Sequence, residues 1–414
     1  MLTQLNKIMA KEKRMNAWEK PALSEVAQAV FAQLLALGEA TRKLLSESTG
    51  FSFPTVTVAL AELGAADMVC ELRREQGARG RATIVYGVSD GAGWVLGVDI
   101  GSTQVSFIGR GLNGHIIDQA TSKHDAPIIS AGQLAGEQVA QSKAFDVMGR
   151  PPLAVAIALN QVVPRRLDRP DYPTPLSLKI AQSFAAHCGL SASIPFLLEN
   201  NVNCAAVTEH QDGAMHGHDD AAYMQIGVGI GLGFFADGAL IRGGQGGSGE
   251  LAQIPLSWSD KVVSGIDAIE QRYGSAGLMQ KTQDVMRGAM DCPCTPEELF
   301  FLVNQGHAQA QALMTEYGVA LGRIAATAAT ILDPSILVLG GGLVRNAAFA
   351  EIIVDEFSSR NQDTSIKLSQ KGPEATVLGA CLLARDFAIT RIVDRYHRPI
   401  CARPTLLTGH TEGE

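Results

Sequence analysis

Between residues 24 and 37 apolar side chains recur at Val26, Ala29, Val30, Leu34 and Leu37. That three-and-four spacing gives a helix one buried face, and Gly38 is its stop signal. A second, short helix begins at Thr41, whose hydroxyl can cap it, with Leu44 and Leu45 turned inward. Ser48-Thr49-Gly50 supplies a turn, and Ser52 caps a third helix that runs to Leu63. Pro54 is tolerated there because it falls in the first turn, where its missing N–H has no partner to lose. Val56, Leu60 and Leu63 form the buried stripe of this helix. Beyond Gly64 the pattern becomes strand-like over residues 68–72 and 83–88, joined by the Gly-punctuated, Arg-rich run 73–81.

Helix, Gly-containing turn, helix, then a basic hairpin is the order of a winged helix-turn-helix. The buried stripe of the third helix leaves Ser52, Phe53, Thr55, Thr57 and Val58 toward the opposite face and the N-terminal end, where base edges of a major groove would be met. Arg42 and Lys43, opening the second helix, and Arg79 and Arg81 in the hairpin are candidates for phosphate or minor-groove contact. Phe53 and Val58 stand where a cationic reader is usual, so recognition is expected to lean on thymine methyls and on the wing. The alternative is a small helical module for protein contacts with a solvated basic loop.

The remaining chain carries three glycine-rich turns at strand ends. The first is Asp99-Ile100-Gly101-Ser102-Thr103, after an apolar strand from Trp94 and before a second strand, 104–109. Its backbone N–H groups and hydroxyls suit a phosphate, with Asp99 placed for a metal-bound water. The second, 226–234, sets Gly227, Gly229 and Gly231 between strand-like segments and lacks the helix and acidic spacing of a dinucleotide fingerprint. The third ends the apolar run 336–339 at Gly340-Gly341-Gly342. A long Ala-rich helix is expected over 308–332, packed closely in a core.

Composition changes this picture little. The chain has 414 residues, 46% apolar and 18% charged, with a net charge of −8, as in an ordinary soluble protein. Residues 1–90 hold 11 Lys+Arg against 10 Asp+Glu, and the remainder 23 against 32. The front is the less acidic part, in keeping with an anionic partner there. No apolar run has membrane-spanning length and residues 1–20 do not read as a signal peptide, so a cytoplasmic protein without a membrane partner is expected. Seven scattered cysteines read as reduced thiols, Cys292-Pro-Cys294 lacks the partners of a zinc site, and His216-Gly217-His218 beside Asp219 and Asp220 reads as a solvated loop, with adventitious metal capture as the alternative.

From about Thr41 to Ala384 the chain resembles the ROK family of repressors, open reading frames and kinases. The residues carrying the likeness are the helix-turn-helix with Gly77-Ala78-Arg79-Gly80-Arg81, the Asp99–Thr103 turn, Glu199-Asn200-Asn201-Val202-Asn203, Gly246-Gly247-Ser248-Gly249-Glu250-Leu251, and Val377-Leu378-Gly379-Ala380. The resemblance implies an α/β fold, an N-terminal winged helix-turn-helix followed by a two-lobed ribonuclease-H-like ROK domain, with a sugar site in the interlobe cleft. It also implies a sugar-responsive regulator when the N-terminal extension is present. In ROK kinases the residue matching Asn201 is an Asp that takes the sugar hydroxyl proton, which an amide cannot do at neutral pH. Family members follow the pair matching Glu250-Leu251 with Gly-His, and that His joins several Cys on a structural zinc. Here Ala252-Gln253 follows, and 264–270 holds no Cys, so no zinc is expected. Where the family usually has a Pro-Gly turn lining the sugar pocket, the loop 158–166 has bulkier polar residues, which changes the pocket's shape.

The expectation is a DNA-binding domain at 1–90, a first ROK lobe at 91–210 and a second at 211–414, with the last helices free to return to the first. Asn200, Asn201, Glu250, Gln253 and Glu270 are the ligand-binding candidates; for Glu250 and Glu270 bracing or surface roles compete. Asp99, Gly101, Ser102, Thr103, Gly227, Gly229 and Gly231 are remnants of phosphate loops. No catalytic residue and no cofactor are assigned. The partners are an operator DNA duplex, a carbohydrate-like effector and further copies of the chain in a homodimer or homotetramer. The runner-up is an ATP-dependent sugar kinase with an appended DNA-binding domain.

Overall fold

In the computed structural model, which describes residues 21–76, 82–167, 174–254, 268–288, 292–401 and 404–407, the chain divides into two units. One is formed by residues 1–201 with 377–414, the other by 202–376.

The first unit opens with α1 (Glu25–Leu37), capped by the Ser24 hydroxyl, which accepts from the Ala27 amide. A strand β1 (Glu39–Thr41) separates it from α2 (Arg42–Thr49), and α3 (Phe53–Ala65) follows. Thr41 and Ser52 cap α2 and α3 as their sequence positions require, accepting from Leu44 and Thr55. The core of this module is Ala27, Val30, Phe31, Leu34, Leu45, Val56, Leu60 and Leu63. Two inward expectations are corrected. Leu44 is 41% and Leu37 39% exposed, while Leu45 and Phe31 are fully buried and take the inward positions. Strands β2 (Val69–Gln76) and β3 (Ala82–Val88) complete an antiparallel sheet in the order β1-β3-β2. Arg73 and Arg74 therefore lie in a strand and not in the connecting turn.

A second sheet of this unit runs β14-β8-β7-β4-β5-β6, from β4 (Trp94–Ile100), β5 (Gln104–Gly111), β6 (Ile116–Lys123), β7 (Val155–Leu159), β8 (Phe196–Asn200) and β14 (Thr405–Leu406). The meander β4-β5-β6 is antiparallel, and β7 and β8 run parallel to β4. Helices α4 (Ile128–Ala140), α5 (Ala144–Met148) and α6 (Leu176–His187) lie between these strands in sequence. The parallel strands are mostly apolar, as strands covered on both faces must be, with Asp99 and Glu199 as acids near their ends. Trp94 is fully buried, meets Phe145 edge-on with centroids 5.4 Å apart, and donates Nε1–H to the Arg150 carbonyl at 3.0 Å.

The second unit repeats this plan. It begins with α7 (Asn201–Asp212), whose first residue still belongs to the first unit, and its sheet runs β11-β10-β9-β12-β13. Its strands are β9 (Ala221–Ile226), β10 (Ile230–Ala236), β11 (Ala239–Leu240), β12 (Ile336–Gly340) and β13 (Ser365–Leu368). Again an antiparallel meander is followed by two parallel strands. Helices α8 (Ala268–Tyr273), α9 (Ser275–Val285) and α10 (Pro296–Asn304) precede the long α11 (Ala308–Leu332), with α12 (Ala347–Ser358) after β12. The apolar stripe of α11 packs with Phe349, Ile353 and Phe357 of α12 in this unit's core.

The last helix, α13 (Ala375–Val393), lies in the first unit from Val377 onward. A Cβ on Gly97, in the middle of β4, would run into the backbone of Cys381, so only glycine lets this helix lie directly on the sheet. Within α13, Asp386, 6% exposed, accepts from His397 at 2.6 Å and from the Ile400 amide at 3.1 Å in the segment that follows the helix. Arg395 there pairs with Glu25 of α1. No helix of the described residues is long and apolar enough to cross a membrane.

Candidate functional site

The face of α3 left by its buried stripe carries Ser52, Phe53 and Val58, the last two 51% and 69% exposed, with Thr55 and Thr57 half-buried. Its polar groups are already organised. The Ser52 and Thr55 hydroxyls lie 2.7 Å apart, and Thr57 Oγ1 donates to the Phe53 carbonyl at 2.9 Å. Two large apolar side chains are thus the most projecting features of the helix, as thymine-methyl reading would need. On α2, Lys43 reaches into solvent, 3.7 Å from Glu47. Arg42 is held instead by the Tyr86 hydroxyl on β3, which accepts from Nε at 2.9 Å and also from Nη2.

The wing is less cationic than its arginines imply. Arg73 makes a two-pronged pair with Glu39 of β1, both bonds 2.6 Å, and its Nε donates to Glu75 at 2.9 Å. The hydrogen bonds from Arg73 hold the Glu39 carboxyl below its usual range. Arg74 pairs with Glu71 at 3.1 Å. Both described wing arginines are therefore matched by carboxylates, and Arg79 and Arg81 lie outside the described residues. Tyr86 and Glu39 are the two residues of this surface that sequence reading missed. Their one signal was an aromatic and an acid in strands flanking the helices.

In the first unit's second sheet, register brings three strand ends level. Ile100 lies opposite Leu159, and Leu159 opposite Asn200, so the turns leaving β4, β7 and β8 start side by side. Ligands of open parallel sheets bind outside such carboxyl ends. One residue earlier, Asp99, Ala158 and Glu199 form a row across the sheet, with Asp99 8% and Glu199 4% exposed. Burial pushes the Asp99 carboxyl up to about 7. Gly101, half-buried, donates its amide to the Gln104 carbonyl, while Ser102 and Thr103 are exposed. His124 braces this turn from β6's end, its Nε2 3.1 Å from the Gly101 carbonyl. Asn200 donates Nδ2–H to the Gln161 carbonyl at 3.3 Å, tying the end of β8 to the loop after β7. Asn201, half-buried, opens α7.

In the second unit, the turn between β9 and β10 is overlaid by α8. The Glu270 carboxylate accepts from the Ile230 amide at 3.2 Å, and a Cβ on Gly229 would sit 2.8 Å from Glu270 Oε2. Gly227 accepts from the Ser275 amide at 2.9 Å, and Gly231 lies against Val202. Glu270 is thus a brace on the turn, and the amide it occupies is one a phosphate would need. Glu250 precedes a 3-10 turn at Leu251–Gln253, and Gln253 Nε2 donates to it at 3.4 Å. The donor set does not fit zinc: the exposed Gln253 stands where family members carry His, and 264–270 offers no thiolate.

The family model for ROK matches residues 95–387. Over 363 residues the chain is 23% identical to the "Xylose repressor" of Bacillus subtilis, covering 85% of this chain and 92% of that protein. It is 27% identical over 188 residues to the "Beta-glucoside kinase" of Listeria monocytogenes, covering 45% of this chain and 64% of the kinase. Among solved structures, a ROK family transcriptional regulator homologous to the Mlc protein of E. coli superposes with a TM-score of 0.68 at 18% identity. That superposition covers 90% of this chain and 99% of the regulator.

Proposed function

The chain belongs to the ROK family, and from that premise we propose that it is a sequence-specific DNA-binding transcriptional regulator, a repressor of carbohydrate-related genes. Its ROK fold senses a carbohydrate-like effector and does not phosphorylate it. The observation that carries this reading is the capped helix-turn-helix with its three-stranded wing, which stands ahead of the stretch matched by the family model. Similarity to a repressor over 85% of this chain and 92% of that protein supports it, and the shorter match to a kinase is what a shared ROK fold alone would give. Asn201 supports the loss of chemistry, because an amide cannot accept the hydroxyl proton that phosphoryl transfer releases.

In this reading α3 enters the major groove, Lys43, Arg79 and Arg81 contact phosphates or the minor groove, and a homodimer or homotetramer reads a palindromic operator. The effector acts by binding one arrangement of the protein more tightly than another. Footprinting on the DNA upstream of the chain's own gene is expected to give a protected two-fold-symmetric site whose affinity falls steeply with salt. Protection without sequence preference would sink the regulator. A coupled assay of ATP consumption over a panel of sugars is expected to show no turnover, and clear turnover would favour a kinase instead.

A further inference from the structure

We propose that Asn160 is an effector-reading residue, its carboxamide oxygen accepting a hydrogen bond from a hydroxyl of an uncharged polyhydroxy ligand. This rests on the sensor reading above and adds to it both a residue and a ligand class. Asn160 is the first residue after β7, next to Leu159, which is level with Ile100 and Asn200 in the sheet. It therefore sits between the turn at Gly101 and the amide pair Asn200-Asn201, in the middle of the three strand ends. Its Oδ1 is buried and meets no hydrogen-bond donor among the described residues. Buried acceptors are nearly always satisfied, and one left without a donor at a ligand-facing strand end is what a binding site looks like before its ligand arrives.

The surroundings define the donor. The adjoining Gln161 carbonyl is already taken by Asn200 Nδ2. Behind the strand ends stand two buried carboxyl groups, Asp99 and Glu199. The cations of the loop, Arg165 and Arg166, are exposed beyond the buried Val163. Amides backed by buried acids favour hydroxyls and disfavour a phosphate or carboxylate.

The test is calorimetry and thermal melting of the full chain with D-xylose, D-glucose, D-mannose and D-glucose 6-phosphate, for wild type and Asn160→Ala. The proposal expects at least one neutral sugar to bind wild type. Asn160→Ala should bind that sugar about three- to tenfold more weakly, the loss of one hydrogen bond. Its melting temperature without sugar should stay level or rise, because an unsatisfied acceptor has been removed. A deoxy analogue lacking the contacted hydroxyl should bind wild type and variant alike. Equal sugar affinity for the two proteins, or a lower sugar-free melting temperature with unchanged binding, would overturn the role of Asn160 and leave the sensor standing. Binding of the phosphate alone would overturn the ligand class. Failure of every sugar to bind wild type would overturn the sensor reading and this one with it.

Discussion

Asp99 sits one residue before the end of β4 and is 8% exposed. Burial raises its folded pKa to about 7, against roughly 3.9 for an unfolded chain. Between those values the native state keeps a proton that the unfolded state has lost, so stability falls as pH rises through the window. The loss is absent below about pH 4, complete above pH 7, and up to roughly 4 kcal/mol. Asp99→Asn removes the titration. The variant is expected to exceed wild type in urea midpoint clearly at pH 8, with the difference shrinking toward pH 4, and an equal difference at both would contradict the assignment. The sequence marked Asp99 as chemically interesting because an acid ends an apolar strand before a glycine turn. It could not give the burial, which comes from the strands on either side. Asn201 is the opposite case, since its being an amide and not a carboxylate is legible from the residue type alone.

The helices of the N-terminal module were legible element by element, because Thr41 and Ser52 act within three residues of themselves. β1 was not, since three residues carry no period and their strand character comes from β3, over forty positions away. The paired arginines of β2 were missed for the same reason. In the proposed operator complex these placements divide the contacts by kind. Lys43 is exposed and free to approach phosphate, so Lys43→Ala should reduce the slope of log affinity against log salt by about one. Phe53 projects an apolar ring, so Phe53→Ala should weaken operator binding about tenfold with no change in slope. Fluorescence anisotropy over a salt series separates the two, and a slope change in Phe53→Ala would show that its role had been misread.

At the scale of the whole molecule, the two larger sheets share one topology, a meander and two parallel strands, and α13 packs against the centre of one of them while Arg395, just beyond its end, pairs with Glu25 of α1. If an effector alters operator affinity through this fold, linkage requires the operator to alter effector affinity by the same factor. A sugar that weakens DNA binding twentyfold should itself bind about twentyfold more weakly to the protein–operator complex. Titrating the sugar with and without a saturating operator duplex measures this, and unequal factors would mean that the two ligands are not acting on one equilibrium. By itself the sequence determined the caps of α2 and α3, the long α11, the glycine turns and the family, all of which depend on residue type or on neighbours a few positions apart. Only the tertiary structure decided that Glu39 neutralises Arg73 across 34 positions, that Tyr86 holds Arg42, that Asp99 is buried and that α13 lies on β4. Those outcomes depend on which distant segments pack together, and no local pattern of residues encodes that.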